Sequence, residues 1–153
     1  MFEVLIYLFE NYLEGGASLA LNPDTIVTEL EQAGFSRNEI GRALDWLHGL
    51  NRMQEVATNA TTHHAIRHYT PQEMDHLGLE TQGLLLYLEQ LSILDPKTRE
   101  MVIDRLMALD RFELSPNRVK WVVLIALFSQ PDKKSALSLL QDMILSDAFD
   151  ILH

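Results

Sequence analysis

The chain has 153 residues, 47% of them hydrophobic and 22% charged, with a formal net charge of -10. That length folds as one domain or two small ones and buries roughly 70% of the surface exposed by the unfolded chain. There is no cysteine, which excludes disulfides, thiolate metal sites and thiol catalysis; acids outnumber bases in residues 1–22, 23–70 and 71–153 alike, so no segment has the dense basic footprint that drives phosphate binding by counterion release.

The opening stretch MFEVLIYLFENYLEGGASLA loosely imitates a signal peptide. However, Glu3, Glu10 and Glu14 stand where a basic segment should lead, and the first cationic side chain is Arg37. It reads instead as a helix from Phe2 to Leu13, released at Gly15-Gly16. Glu3, Tyr7, Glu10 and Glu14 share one face, and apolar side chains fill an arc wide enough for burial on more than one side. The longest unbroken apolar run, Trp121 to Phe128, is far short of the roughly 20 residues that span a bilayer. A soluble protein with no membrane partner is expected, and the missing cysteines fit a reducing cytoplasm.

Asn22-Pro23 predicts a second helix with Asn as N-cap and Pro at the first helical position, running to about Ala33 and stopping at Gly34. Ser36 caps a third helix, Glu39 closes a capping box, and Phe35 is placed to staple onto Ile40. A short glycine-containing turn between two amphipathic helices is the pattern of a helix-turn-helix. Gln54-Glu55-Val56-Ala57 and Ala65-Ile66-Arg67-His68-Tyr69 have some β character and flank a polar stretch, which predicts a hairpin wing. From Thr70 the chain is helical again. Thr70-Pro71 opens a short helix ending near Gly78, a strongly apolar helix covers Leu84 to Leu94, Asp95-Pro96 and Ser115-Pro116 open two more, and Lys133 to Ser146 forms the last. The expected fold is therefore mainly α: an N-terminal winged helix-turn-helix with a short β-hairpin wing over residues 1–70, then a packed α-helical bundle over residues 71–153.

The search for chemistry is mostly negative. His63, His64 and His68 fall in a predicted loop and strand with no nearby cysteine, and solvated wing-tip histidines explain them better than a metal site that needs three or four converging ligands. Glu89, Asp95, Glu100 and Asp104 read as helix surfaces and caps, not as a general acid and base. No phosphate-binding glycine loop and no GxSxG elbow occurs. No catalytic residue, metal or cofactor is expected.

What remains is a binding face. On the helix that starts at Ser36, the residues Ile40, Ala43, Leu44, Leu47 and Leu50 form a stripe for the core. The opposite face presents Asn38, Gly41, Arg42, Asp45, Gly49 and Arg52. Asn and Arg suit adenine and guanine edges, but Asp45 repels phosphates from the middle of that face. Two glycines inside a helix, each destabilising by about 1 kcal/mol relative to Ala, suggest that something packs there. Trp46, at the edge of the stripe, is expected in the core, with a partner anchor as the alternative.

The stretches MFEVLIYLFENY, AGFSRNEIGRALDWL, YTPQE, GLLLYLEQLSIL, REMVIDRLMAL and VKWVVLIALF together resemble the bacterial Smg family, in the same order and over essentially the whole chain. Residues Met53 to Arg67 match it least. The resemblance implies a small cytoplasmic bacterial protein and brings no catalytic or ligand residues. The expected function is a non-enzymatic binding or adaptor protein that engages a protein partner through the winged-helix face or the helical half. The alternative is a winged-helix protein that binds DNA or RNA through Asn38, Arg42 and Arg52, with Arg67 on phosphate.

Overall fold

Cap-and-proline pairs are the strongest local signals in this chain, and they start helices where expected. The computed structural model describes residues 1–13, 23–57 and 68–129. It contains α1 (Phe2–Leu8), α2 (Pro23–Gln32), α3 (Arg37–Ala57), α4 (Pro71–Gln90), α5 (Pro96–Met107) and α6 (Pro116–Phe128). The chain divides into two compact units, Met1–Asn51 and Arg52–His153. The division falls inside α3, whereas the sequence places a boundary at Thr70-Pro71.

In the first unit, α1 buries Phe2, Val4, Leu5 and Leu8 and leaves Glu3 exposed. The expected single helix to Leu13 is α-helical only to Leu8 and widens into a π turn over Phe9–Leu13, a local insertion that rotates the residues beyond it relative to α1. Ile26 and Leu30 of α2 and Ile40, Ala43, Trp46, Leu47 and Leu50 of α3 complete the core. Trp46 is a core residue, as its place beside the stripe predicts. Leu44, counted in that stripe, is only half-buried.

The expected wing is corrected. Gln54–Ala57, read as its first strand, is the last turn of α3, and no strand occurs among the described residues. The reason is local: Met53, Gln54, Glu55 and Ala57 are good helix formers, no glycine or proline interrupts them, and extending an existing helix needs no new nucleus. His68 and Tyr69 are in neither helix nor strand. Arg67 and the rest of the expected wing from 58 to 67 lie outside the described residues, as does the expected helix from Lys133 to Ser146.

In the second unit, α4, α5 and α6 pack on one another. Thr70 and Glu73 form a reciprocal capping box at the start of α4, the Asp95 carboxylate accepts the Thr98 N–H at 2.7 Å, and the Ser115 hydroxyl accepts the Arg118 N–H. Each of these devices satisfies an amide that the first turn leaves open, worth about 1 kcal/mol. The predicted break at Gly78 is real (φ 76, ψ 167), but helix resumes directly after it and continues to Gln90, so the apolar helix expected from Leu84 starts earlier and ends sooner. α4 stops in a Schellman turn: Ile93 N–H reaches Leu88 O, Ser92 N–H reaches Glu89 O, and Ser92 takes the left-handed conformation (φ 61) usually left to glycine. α6 is apolar on nearly every side, with Val119 and every residue from Val122 to Leu127 buried, which makes it the central helix of its unit. Among the described residues no helix is long and apolar enough to cross a membrane.

Candidate functional site

The helix-turn-helix connection is built from two complementary end signals. At the end of α2, Phe35 N–H reaches Leu30 O and Gly34 N–H reaches Glu31 O, each at 3.1 Å. Gly34 supplies the positive φ (101°) that this Schellman turn requires. Two residues later the Ser36 hydroxyl accepts the Glu39 N–H at 3.3 Å, and Glu39 Oε2 accepts the Ser36 N–H at 3.2 Å. These two bonds are the reciprocal capping box expected from the sequence. The Phe35 ring meets Tyr7 of α1 edge-on, with centroids 5.6 Å apart, so the turn is held against α1 as well.

Glu39 is held below the usual carboxylate value. The Ser36 backbone N–H contributes most, then the Ser36 hydroxyl, then the charge of the N-terminal amine, which lies 3.8 Å from Glu39 Oε1. Arg37, at the same helix start, turns back to pair with Glu31 on α2. These charges fix where α3 begins and how it leaves the turn.

Beyond that first turn the outer face of α3 is used differently. Asn38, Gly41, Arg42 and Asp45 are exposed, as expected, and His48 is exposed between the same rows. Sequence reasoning passes over His48, although its place three residues after Asp45 puts it on this face. A Cβ built on Gly41 meets nothing within 4 Å, so the surface there is open. Gly49 departs from expectation: it is buried, because a residue without a side chain is covered by whatever borders it. Its burial ends the open face. Arg52 is exposed beyond it but belongs to the second unit, and Arg67 lies outside the described residues. The structure thus gathers Asn38, Gly41, Arg42 and Asp45, adds His48, and buries Gly49.

The state of the arginines sharpens this picture. Arg37 pairs with Glu31, Arg99 with Glu89 and Glu100, Arg105 with Asp104, and Arg111 with Asp75. Arg118 donates to the Glu113 carbonyl. Among the described residues, Arg42 and Arg52 are the arginines with neither an ion pair nor a hydrogen bond. Asp45, one turn from Arg42, is likewise unpaired among the described residues.

A second concavity lies in the second unit, a cleft of about 410 Å³ bordered by Met53, Glu73, Glu100, Ile103, Asp104 and Met107. Its size suits a small ligand, and three carboxylates border it. Each carboxylate already has structural work: Glu73 caps α4 by accepting the Thr70 N–H, Glu100 accepts from Arg99, and Asp104 accepts from Arg105. All three carboxylates of the cleft thus accept hydrogen bonds from within the protein. Among the described residues no three His, Asp or Glu side chains converge to hold a metal ion. His76 Nε2 lies 3.2 Å from the Leu106 carbonyl, a tie between α4 and α5. His63 and His64 lie outside the described residues.

The family described as "Protein of unknown function (DUF494)" matches residues 1–153. The chain is 43% identical to a Protein Smg homolog of Shewanella sediminis over 156 aligned residues, which cover 100% of this chain and 99% of the relative. It is 42% identical to a Protein Smg homolog of Alkalilimnicola ehrlichii, covering 100% of this chain and 98% of the relative. A Protein Smg homolog of Shewanella piezotolerans is 41% identical over 100% of this chain and 99% of its own length. No solved structure matches the chain.

Proposed function

The chain belongs to the family described as Protein of unknown function (DUF494), with relatives named Protein Smg homolog, and on that premise we propose that it is a non-enzymatic binding protein that engages a protein partner through the exposed face of α3. One observation carries this reading. Arg42 and Asp45 stand side by side, exposed and opposite in sign, with no ion-pair partner among the described residues. Apart from Arg52, the other described arginines are engaged internally. A mixed-sign face next to an open glycine suits another protein surface, where each charge finds its opposite and a backbone approaches closely at Gly41.

The same face suits nucleic acid poorly. Asn38 and Arg42 have the right side chains for base edges, but Asp45 lies among them and the whole chain is acidic, so no broad positive field steers a polyanion toward it. The engaged carboxylates of the cleft argue in the same direction against a hydrolase. The experiment is affinity recovery from a cell extract with the wild type and the Arg42→Glu, Asp45→Arg double variant, quantified by mass spectrometry. A stoichiometric protein held by the wild type and lost at least tenfold in the double variant is the expected outcome. Recovery of DNA or RNA that disappears in Arg42→Ala would replace this reading with nucleic-acid binding.

A further inference from the structure

The first unit is acidic and offers little that could attract its own copies. Glu3, Glu10, Asp24 and Glu29 are exposed on α1, the π turn and α2, so an approach through those elements sets like charges together. Arg37 and Arg42 are the only Lys or Arg side chains in Met1–Asn51. Arg37 is taken up by Glu31, which leaves Arg42 as the cationic side chain of this unit with no ion pair among the described residues. Asp45 stands three positions on, one helical turn away and exposed on the same face of α3. The two do not neutralise each other. Helical side chains lean toward the N-terminus, which carries an Arg away from an acid three positions later, so this is the weaker order for a pair on one helix.

A cation and an anion one turn apart on a helix are their own complement. Two copies of α3 laid antiparallel about a two-fold axis between positions 42 and 45 bring Arg42 of one copy to Asp45 of the other. The symmetric pair forms at the same time. That register sets Asn38 of each copy toward His48 of the other, and both side chains donate and accept hydrogen bonds. At Gly41 no side chain holds the helices apart: a Cβ built there meets nothing within 4 Å, and its absence lets a neighbouring backbone come close. The composition of the unit selects the same register, because Arg42 is the one unpaired cationic side chain that the first unit of a second copy has to offer Asp45.

We infer that the protein docking on α3 is a second copy of this chain, joined as a two-fold dimer by reciprocal Arg42–Asp45 pairs. The inference names the occupant of the docking face and rests on that reading of α3. The face has no large exposed apolar side chain, so the dimer is a transient one that forms and parts. Sedimentation equilibrium of the full chain reads its association constant, at physiological ionic strength, where charges farther apart than about 8 Å are screened. The wild type is expected to dimerise reversibly. Arg42→Glu and Asp45→Arg each turn both pairs into like charges and should each lower the association constant by roughly tenfold or more. A one-to-one mixture of the two variants should regain most of it. There the new acid of one faces the new base of the other, while the native Asp45 and Arg42 pair as before. The Arg42→Glu, Asp45→Arg double variant should likewise dimerise with itself and fail to pair with the wild type. Both positions are exposed, so unchanged melting temperatures are expected, and rescue on mixing excludes misfolding as the cause of the loss.

A mixture of the two single variants that associates no better than its components would overturn the proposal, as would a dimer equally strong in the wild type and both single variants. A monomeric wild type that still retains an extract protein, lost in the double variant, would overturn the second copy and keep α3 as a docking face for another protein. A monomeric wild type that retains nothing would overturn both.

Discussion

The interior of the α4–α6 bundle and the outer face of α3 treat charge in opposite ways. In the bundle of α4, α5 and α6, Arg99 is buried to 8% side-chain exposure and held between Glu89 at 3.3 Å and Glu100 at 3.1 Å, joining α4 to α5 from within. On α3, Arg42 and Asp45 stand in solvent and stabilise nothing that the described residues show. A buried ion pair is part of the structure whether or not it adds net stability, because removing one partner leaves an uncompensated charge. An exposed, unpaired charge has no such structural role, so the α3 face is where a function outside the fold is to be sought.

The largest test of this contrast is Arg99→Ala. It removes the guanidinium shared by Glu89 and Glu100 at the α4–α5 contact and, since both carboxylates keep some access to water, is expected to destabilise the protein by about 1–3 kcal/mol, read by urea denaturation. A loss below about 1 kcal/mol, the range of a surface pair, would erase the distinction between the two regions. Next in size is Gly41→Ala. The position is helical and open, so a methyl group should stabilise the chain by about 0.5–1 kcal/mol while weakening capture of a partner whose backbone approaches there. A variant that is both more stable and unimpaired in binding would remove Gly41 from the site. Smaller still is Arg42→Ala, expected within about 0.5 kcal/mol of wild type because surface substitutions away from such features usually are. A clear drop in melting temperature would show that Arg42 has structural work after all.

The least effect is the pH dependence of the α3 start. Glu39 has its folded value lowered by the Ser36 hydrogen bonds and the terminal amine. Its contribution is therefore fully present above the unfolded carboxylate value, about 4.3, and is lost as pH falls through the lower folded value. Acid titration of the melting temperature should show this loss below about pH 4, and Glu39→Gln should remove that part of the slope. An acid slope identical in the two proteins would mean that the capping box is not protonation-linked.

What the sequence reveals depends on how local the cause is. Helix starts at Thr70, Asp95 and Ser115, the stop at Gly34 and the Ser36–Glu39 box are readable because each is decided by two or three adjacent residues. The break at Gly78 is readable for the same reason, but the resumption of helix after it is not, since a positive-φ glycine resets the chain without dictating the conformation of the next residues. The first arm of the wing fails because a single Val56 gives Gln54–Ala57 its β character, while the preceding helix has no stop signal and simply continues. Among the site residues, Asn38, Gly41, Arg42 and Asp45 are readable from the helical period alone. The burial of Gly49 is not, because it depends on what lies against the helix. Nor can the sequence reveal the pair between Arg111 and Asp75, thirty-six positions apart.

The most direct measurement places a photo-activatable amino acid at position 42 and, as a control, at position 37 on the same helix, where Arg37 faces Glu31. After irradiation of cells producing each variant, a single protein adduct at position 42 that is weak or missing at position 37 is the predicted result. A nucleic-acid adduct at position 42, or equal yields at both positions, would contradict the assignment of α3 as a protein-docking face.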